Sequence, residues 1–233
     1  MLLLKWIVSS LLFISCSLLA NGGVYLDATR IIYHENDAAR SIKVTNSSEE
    51  LPYLIRSWIS SHESDRIDKW VITPPVYRLN ERNAIQLRIT NLDKSMLPAD
   101  RESLFFLNVL SIPGNEKGND KDAASLSGAI NIAINTRVKL FYRPQALKEI
   151  DSNGAHKKLI FKAEEGKLAM TNPTPFHLNF LSIQINGVAK KIERQMIPPF
   201  STVKIDHETI PRVVSYRALN DFGGEISVTK KIL

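Results

Sequence analysis

Gly128–Pro144 reads GAINIAINTRVKLFYRP, and the fold turns on how this stretch is read. Ile130, Ile132 and Ile134 alternate with Asn131, Ala133 and Asn135. A period of two places the isoleucines on one face of an extended strand. β-Branched and aromatic residues continue to Tyr142, and Ala129–Tyr142 as one strand spans roughly 46 Å at the usual rise per residue. That is longer than an ordinary strand, so it is expected to overrun its own sheet and leave part of an edge open. Two readings of the isoleucine face stand side by side. Inward alternation normally fills the strand's own core. An open apolar edge is otherwise a liability, and is tolerated where pairing with another chain is its task.

Outward from this stretch, the chain is rich in short strand signals. Val24–Tyr33, Ser41–Thr45, Tyr53–Ile59, Ala84–Ile89 and Leu104–Ile112 carry β-branched, aromatic and leucine residues, separated by polar or Pro/Gly-bearing segments such as Thr73-Pro74-Pro75. After Pro144 comes a polar stretch with a turn signal at Asp151-Ser152-Asn153-Gly154. Strand signals resume at Leu159–Phe161, Lys167–Met170, His177–Ile185, Thr202–Ile205, Val213–Leu219 and Glu225–Val228. Short strands at near-regular spacing, with no long 3.6-residue period, predict an all-β fold of sandwich type. The expected division is residues 23–147 and residues 148–233, each of ordinary domain size.

Residues 1–22 have the pattern of a secretory signal peptide: Lys5, an apolar run from Trp6 to Ala20, and small residues in Ala20-Asn21-Gly22. The run is short for a membrane anchor, and Phe13-Ile14-Ser15 is a poor context for lipid attachment at Cys16. Cleavage after Gly22 removes Cys16, the chain's one cysteine. The exported protein then holds together by apolar burial alone. The net charge of +6 is spread among acidic residues, and export argues against nucleic acid as the partner. Catalytic motifs are lacking: there is no G-x-S-x-G elbow, phosphate-binding glycine loop or paired-cysteine metal pattern. His34, His62, His156, His177 and His207 are scattered without ligand spacing. No enzyme, metal or cofactor is expected.

Leu97–Pro113, LPADRESLFFLNVLSIP, resembles the signature of the PapD-like periplasmic pilus chaperones. Val138–Pro144 is similar to the end of that family's long donor strand, Asn172–Phe176 (NPTPF) to its second-domain opening, and Asn220–Gly224 (NDFGG) to its penultimate turn. The matches run from Leu26 to Gly224 in the family's order. The resemblance implies two immunoglobulin-like β-sandwich domains at an angle, with a subunit-binding cleft between them. It implies a periplasmic protein that captures fimbrial subunits and delivers them to an outer-membrane usher, without stable membrane insertion. Donor-strand complementation, a form of β-augmentation, is the implied mode.

On the residues that match, the resemblance makes Arg30 and Lys139 the anchor for a subunit's C-terminal carboxylate, and Ile130, Ile132 and Ile134 the lent side chains. Arg30 is the eighth residue after cleavage at Gly22, the family's position for this arginine. Glu102, Arg143 and Asp221 match a charged cluster that fixes domain orientation. Lys139 has opposite parity to the isoleucines, which a twist or a β-bulge would reconcile. The stretch between Ile112 and Ile130 is longer and more polar than in the short-loop prototype, yet lacks the cysteine pair of the long-loop branch. This places the chain nearer the short-loop branch. Edge strands of this kind are expected to self-associate between encounters. The competing reading is an exported immunoglobulin-like adhesin or structural subunit, which would carry a terminal donor strand of its own.

Overall fold

The computed structural model describes residues 22–95, 97–114, 132–164, 166–191, 195–207 and 209–232. The expected signal peptide through Asn21, and Ile130 with most of the loop before it, lie outside the described residues.

The first half of the chain builds two facing sheets. One has the order β1 (Val24–Leu26), β3 (Arg40–Asn46), β7 (Ala84–Asn91), β5 (Trp70–Thr73). The other has the order β2 (Arg30–His34), β9 (Ile134–Arg143), β8 (Ser103–Pro113), β4 (Tyr53–Ser60), β6 (Val76–Leu79). Alternation dictates the core. Ile42 and Val44, Leu87 and Ile89, Ile55 and Ile59, Leu107 and Val109, and Val138, Leu140 and Tyr142 all point between the sheets. Tyr33 is fully buried there, edge-on to Trp70 at 5.0 Å and stacked on Tyr142 at 6.4 Å.

Val24–Tyr33, expected as one strand, is two. β1 pairs antiparallel with β3, whereas β2 pairs parallel with β9. Asp27 ends the first pairing, with its N–H donating to Lys43 O and its Oδ1 accepting from Lys43 N, both at 3.1 Å. The chain then crosses to the other sheet. β5 and β6, which sequence reading passed over, flank Pro74-Pro75 and likewise belong to different sheets. β9 is also shorter than expected at its start. Its ladder with β8 ends at the pair Ser111↔Ile134, and Ile132 and Ala133 are not in a strand. The next same-parity partner of Ile132 would be Pro113, which has no N–H to donate.

The second half repeats the plan. One sheet is β10 (Ile160–Glu164), β11 (Lys167–Thr171), β15 (Thr202–Asp206). The other is β13 (Val188–Lys190), β12 (Leu178–Ile185), β16 (Val213–Leu219), β17 (Glu225–Lys231), with β14 (Met196–Ile197) also on β12. β13 and β14 were not read from the sequence. β12 contains a bulge between Phe180 and Ser182, so Leu178 and Phe180 face the core before it and Ile183 and Ile185 after it. Leu147, just past β9, already belongs to this second core.

The two turn motifs have clear physical causes. In NPTPF, the buried Asn172 amide accepts from Thr174 N (3.0 Å) and Thr174 Oγ1 (2.7 Å) and donates to the carbonyls of Phe176 and Pro198, both at 2.8 Å. In NDFGG, Asn220 Oδ1 accepts from the N–H groups of Phe222 (3.0 Å) and Gly224 (2.7 Å). Gly223 supplies the positive φ of 81° that this turn needs. These turns place β12 and Asp221 against the first sandwich.

Candidate functional site

Three register pairs of the parallel β2–β9 ladder share the face turned away from the first core: Arg30↔Lys139, Ile32↔Phe141 and His34↔Arg143. That face meets the second sandwich. Phe141 packs on the His177 ring at 5.3 Å. Glu102 N donates to Pro175 O at 2.9 Å.

Arg143 is the centre of the junction. It donates to Glu102 Oε1 from Nε (2.9 Å) and Nη2 (2.6 Å), and to Asp221 from Nη1 (2.7 Å) and Nη2 (3.0 Å). Phe176 packs under its guanidinium at 4.9 Å. Its side chain is 9% exposed, that of Glu102 3%. Burial pulls Arg143 down, but its bonds to Asp221 and Glu102 outweigh this and hold it above its usual pKa. Burial pushes Asp221 up, and Arg143, Ser152 and Arg30 more than reverse that. Glu102 also accepts from His177 N at 2.8 Å, and Asp221 from Ser152 Oγ at 2.8 Å. The fold thus brings together Glu102, Arg143 and Asp221, far apart in sequence.

Arg30 and Lys139 sit beside this cluster with a different balance. Arg30 Nη1 donates to the carbonyls of Asn220 (3.0 Å) and Leu219 (3.4 Å), and Lys139 Nζ to Asn179 Oδ1 (2.6 Å). Among the described residues neither cation forms a salt bridge. Arg30 Nε is buried without a hydrogen-bond partner. Burial lowers the Arg30 pKa, only partly offset by the fields of Asp221 and Glu102. Burial also lowers Lys139, and repulsion from Arg30 adds to it. Two part-buried cations on neighbouring strands, without an anion of their own, form a site suited to a carboxylate. Sequence reading missed the second sandwich's share, Asn179 and the carbonyls of Leu219 and Asn220. Nothing local distinguishes Asn179 from any strand asparagine.

The opposite face of β9 explains the isoleucines. Val138, Leu140 and Tyr142 lie in the first core, and Ile134 continues the same parity past the end of that core. Ile134 is 62% exposed, and Ile132 just beyond the strand is 68% exposed. They do not fill this sandwich. The β8–β9 register is continuous from Ser103↔Tyr142 to Ser111↔Ile134, so no bulge brings Lys139 round to them. One strand presents the cation on one face and the apolar residues on the other. β2 covers β9 only from Lys139 to Arg143. From Ile134 to Val138, β9 has β8 on one side and, among the described residues, no strand on the other.

Comparison with known proteins gives this geometry a family. The N-terminal domain model of PapD, a pili and flagellar-assembly chaperone, matches residues 23–148. The C-terminal domain model of the pili assembly chaperone PapD matches residues 154–230. Chaperone protein FocC of Escherichia coli is 36% identical over 213 residues, covering 91% of this chain and 90% of FocC. Chaperone protein FimC of E. coli K12 is 34% identical over 206 residues, covering 88% of this chain and 82% of FimC. In structure, the chain is similar to the E. coli chaperone DraB, with a TM-score of 0.76 at 28% identity, covering 91% of this chain and 97% of DraB. It is also similar to a chain of the Salmonella enterica complex of the SafA pilin with the SafB chaperone, with a TM-score of 0.75 at 28% identity, covering 90% and 96%. The protein belongs to the PapD family of pilus-assembly chaperones. It is therefore an all-β chaperone of two immunoglobulin-like sandwiches, and not an enzyme.

Proposed function

We propose that this protein, exported to the periplasm by a signal peptide that is cleaved after Gly22, caps fimbrial subunits by lending them β9 and then passes them to an outer-membrane usher. Its two domains, expected at residues 23–147 and 148–233, act together, with Leu147 already packed into the second core. One observation carries the reading: the open edge of β9 at Ile134–Val138, with Ile132 and Ile134 exposed at its start and the Arg30–Lys139 pair at its far end. A subunit strand pairs along the open edge while its groove takes Ile130, Ile132 and Ile134. Its terminal carboxylate rests on Arg30 and Lys139.

Each isoleucine buried on capture contributes about 1.5–3 kcal/mol. Each charge-assisted bond to the carboxylate contributes about 1.5–3 kcal/mol. With three isoleucines against two anchoring cations, apolar insertion takes the larger share of affinity, and the anchor sets register, because a one-residue slip turns the isoleucines out of the groove. Between encounters the same edge is protected by self-association, which sedimentation at rising concentration tests; a strict monomer throughout would contradict it. Co-expression with a pilus subunit tests the whole reading. Wild-type protein is expected to yield a soluble one-to-one complex, and Arg30→Ala or Lys139→Ala to lose it while remaining folded. Wild-type complex yield from both variants would overturn the anchor.

A further inference from the structure

The second sandwich supplies acceptors to both anchor cations from one place. Asn179 and Leu219 are register partners in the β12–β16 ladder. Asn179 Oδ1 accepts from Lys139 Nζ at 2.6 Å, and the Leu219 and Asn220 carbonyls accept from Arg30 Nη1. So two neighbouring positions of one domain face two neighbouring positions of the other, Arg30 and Lys139.

Asn179 is 3% exposed, which is unusual burial for a side-chain amide. An ammonium only donates, so the amide oxygen must be the atom facing it. The amide nitrogen then points to His177 O at 3.4 Å. The N–H of His177 in turn donates to Glu102 Oε2 at 2.8 Å, within the interdomain ion cluster. Asn179 is thus held by the junction and holds Lys139.

We propose that Asn179 is a positioning residue for carboxylate capture: by fixing one of the three ammonium donors of Lys139, it aims the other two into the cleft. This rests on the carboxylate-anchor reading and adds a dependence on domain docking. Without Asn179 the lysine stem is free to rotate, and ordering it on binding costs side-chain entropy. Arg30 offers a planar fork that its own geometry pre-organises, whereas Lys139 is a flexible point charge that needs such a guide.

The test uses the full protein and two synthetic peptides with the C-terminal sequence of a pilus subunit, one ending in the free acid and one in the amide. The readout is the ratio of their affinities. Wild type is expected to prefer the acid. Asn179→Ala is expected to reduce that preference about tenfold, the scale of the side-chain entropy lost when the freed lysine is ordered on the carboxylate, with amide-peptide affinity unchanged. Asn179→Thr keeps an acceptor oxygen and is expected to retain most of the preference. Asn179→Asp gives Lys139 an internal carboxylate and is expected to abolish it. Binding of the amide peptide reports that each variant is folded.

Wild-type preference in Asn179→Ala and Asn179→Asp would overturn the proposal. So would an equal loss for both peptides, which marks a structural role only. If Arg30→Ala and Lys139→Ala abolish the preference in the same assay, the anchor reading stands and only the role of Asn179 falls. If wild type itself does not distinguish the peptides, the anchor reading falls with it.

Discussion

Arg143 commits its guanidinium to two carboxylates, while Arg30 and Lys139 next to it meet only carbonyl and amide oxygens. Three cations in one junction therefore differ: Arg143 bridges the two sandwiches, whereas Arg30 and Lys139 are the pair we propose as the carboxylate anchor. His156, beneath the same junction, gives this chemistry a pH signature. Burial first, then repulsion from Arg30, lowers its pKa from the usual 6.5 to about 4, with Asp221 opposing. Between these values the unfolded chain binds more proton than the folded one, so stability falls on acidification. The contribution is complete above pH 6.5 and is lost as pH falls towards 4, at most about 3 kcal/mol. Thermal unfolding followed from pH 7.5 to 4 is expected to show a steeper acid decline in wild type than in His156→Leu. Identical profiles would remove His156 from the account.

At the scale of the element, β9 combines three environments in one strand. Its C-terminal half is paired on both sides, its N-terminal half on one, and its two faces carry different chemistry. Ile134→Asp is expected to leave the free protein's unfolding free energy within about 0.5 kcal/mol, because the position is exposed. The same variant is expected to weaken subunit capture at least about tenfold, through lost apolar burial and a carboxylate forced into a groove. Denaturant melts and a binding titration measure the two effects; a destabilised free protein would mean that Ile134 belongs to the core after all. This strand was legible because the β-branched and aromatic run from Ile134 to Tyr142 is a local signal, although the alternating Ile132 lies before it. Its starting point was not, because pairing ends where β8 reaches Pro113, a fact about the partner strand. β5 and β6 went unread because four residues on either side of Pro74-Pro75 give little periodicity. The bulge in β12 went unread because only the change of buried parity, from Phe180 to Ile183, reveals it.

At the scale of the molecule, family motifs gave Glu102, Arg143, Asp221, Arg30 and Lys139, and the fold unites them. It also adds Asn179, His177 and Ser152, which no spacing would select, since their partners lie in the other sandwich or, for Ser152, 69 residues further along the chain. Arg143→Ala leaves Glu102 and Asp221 facing each other without their cation, and is expected to cost about 3–5 kcal/mol. Limited proteolysis is expected to cut between the sandwiches sooner in this variant; wild-type resistance would contradict a holding role. The central claim is that the open edge of β9 is completed by a subunit strand. Amide hydrogen exchange of residues 134–138, free and in complex with a pilus subunit, tests it most directly. The expected result is rapid exchange, in the free monomer at low concentration, at those amides not bonded to β8, and strong protection in the complex. Unchanged exchange across this segment in a saturated complex would contradict the claim.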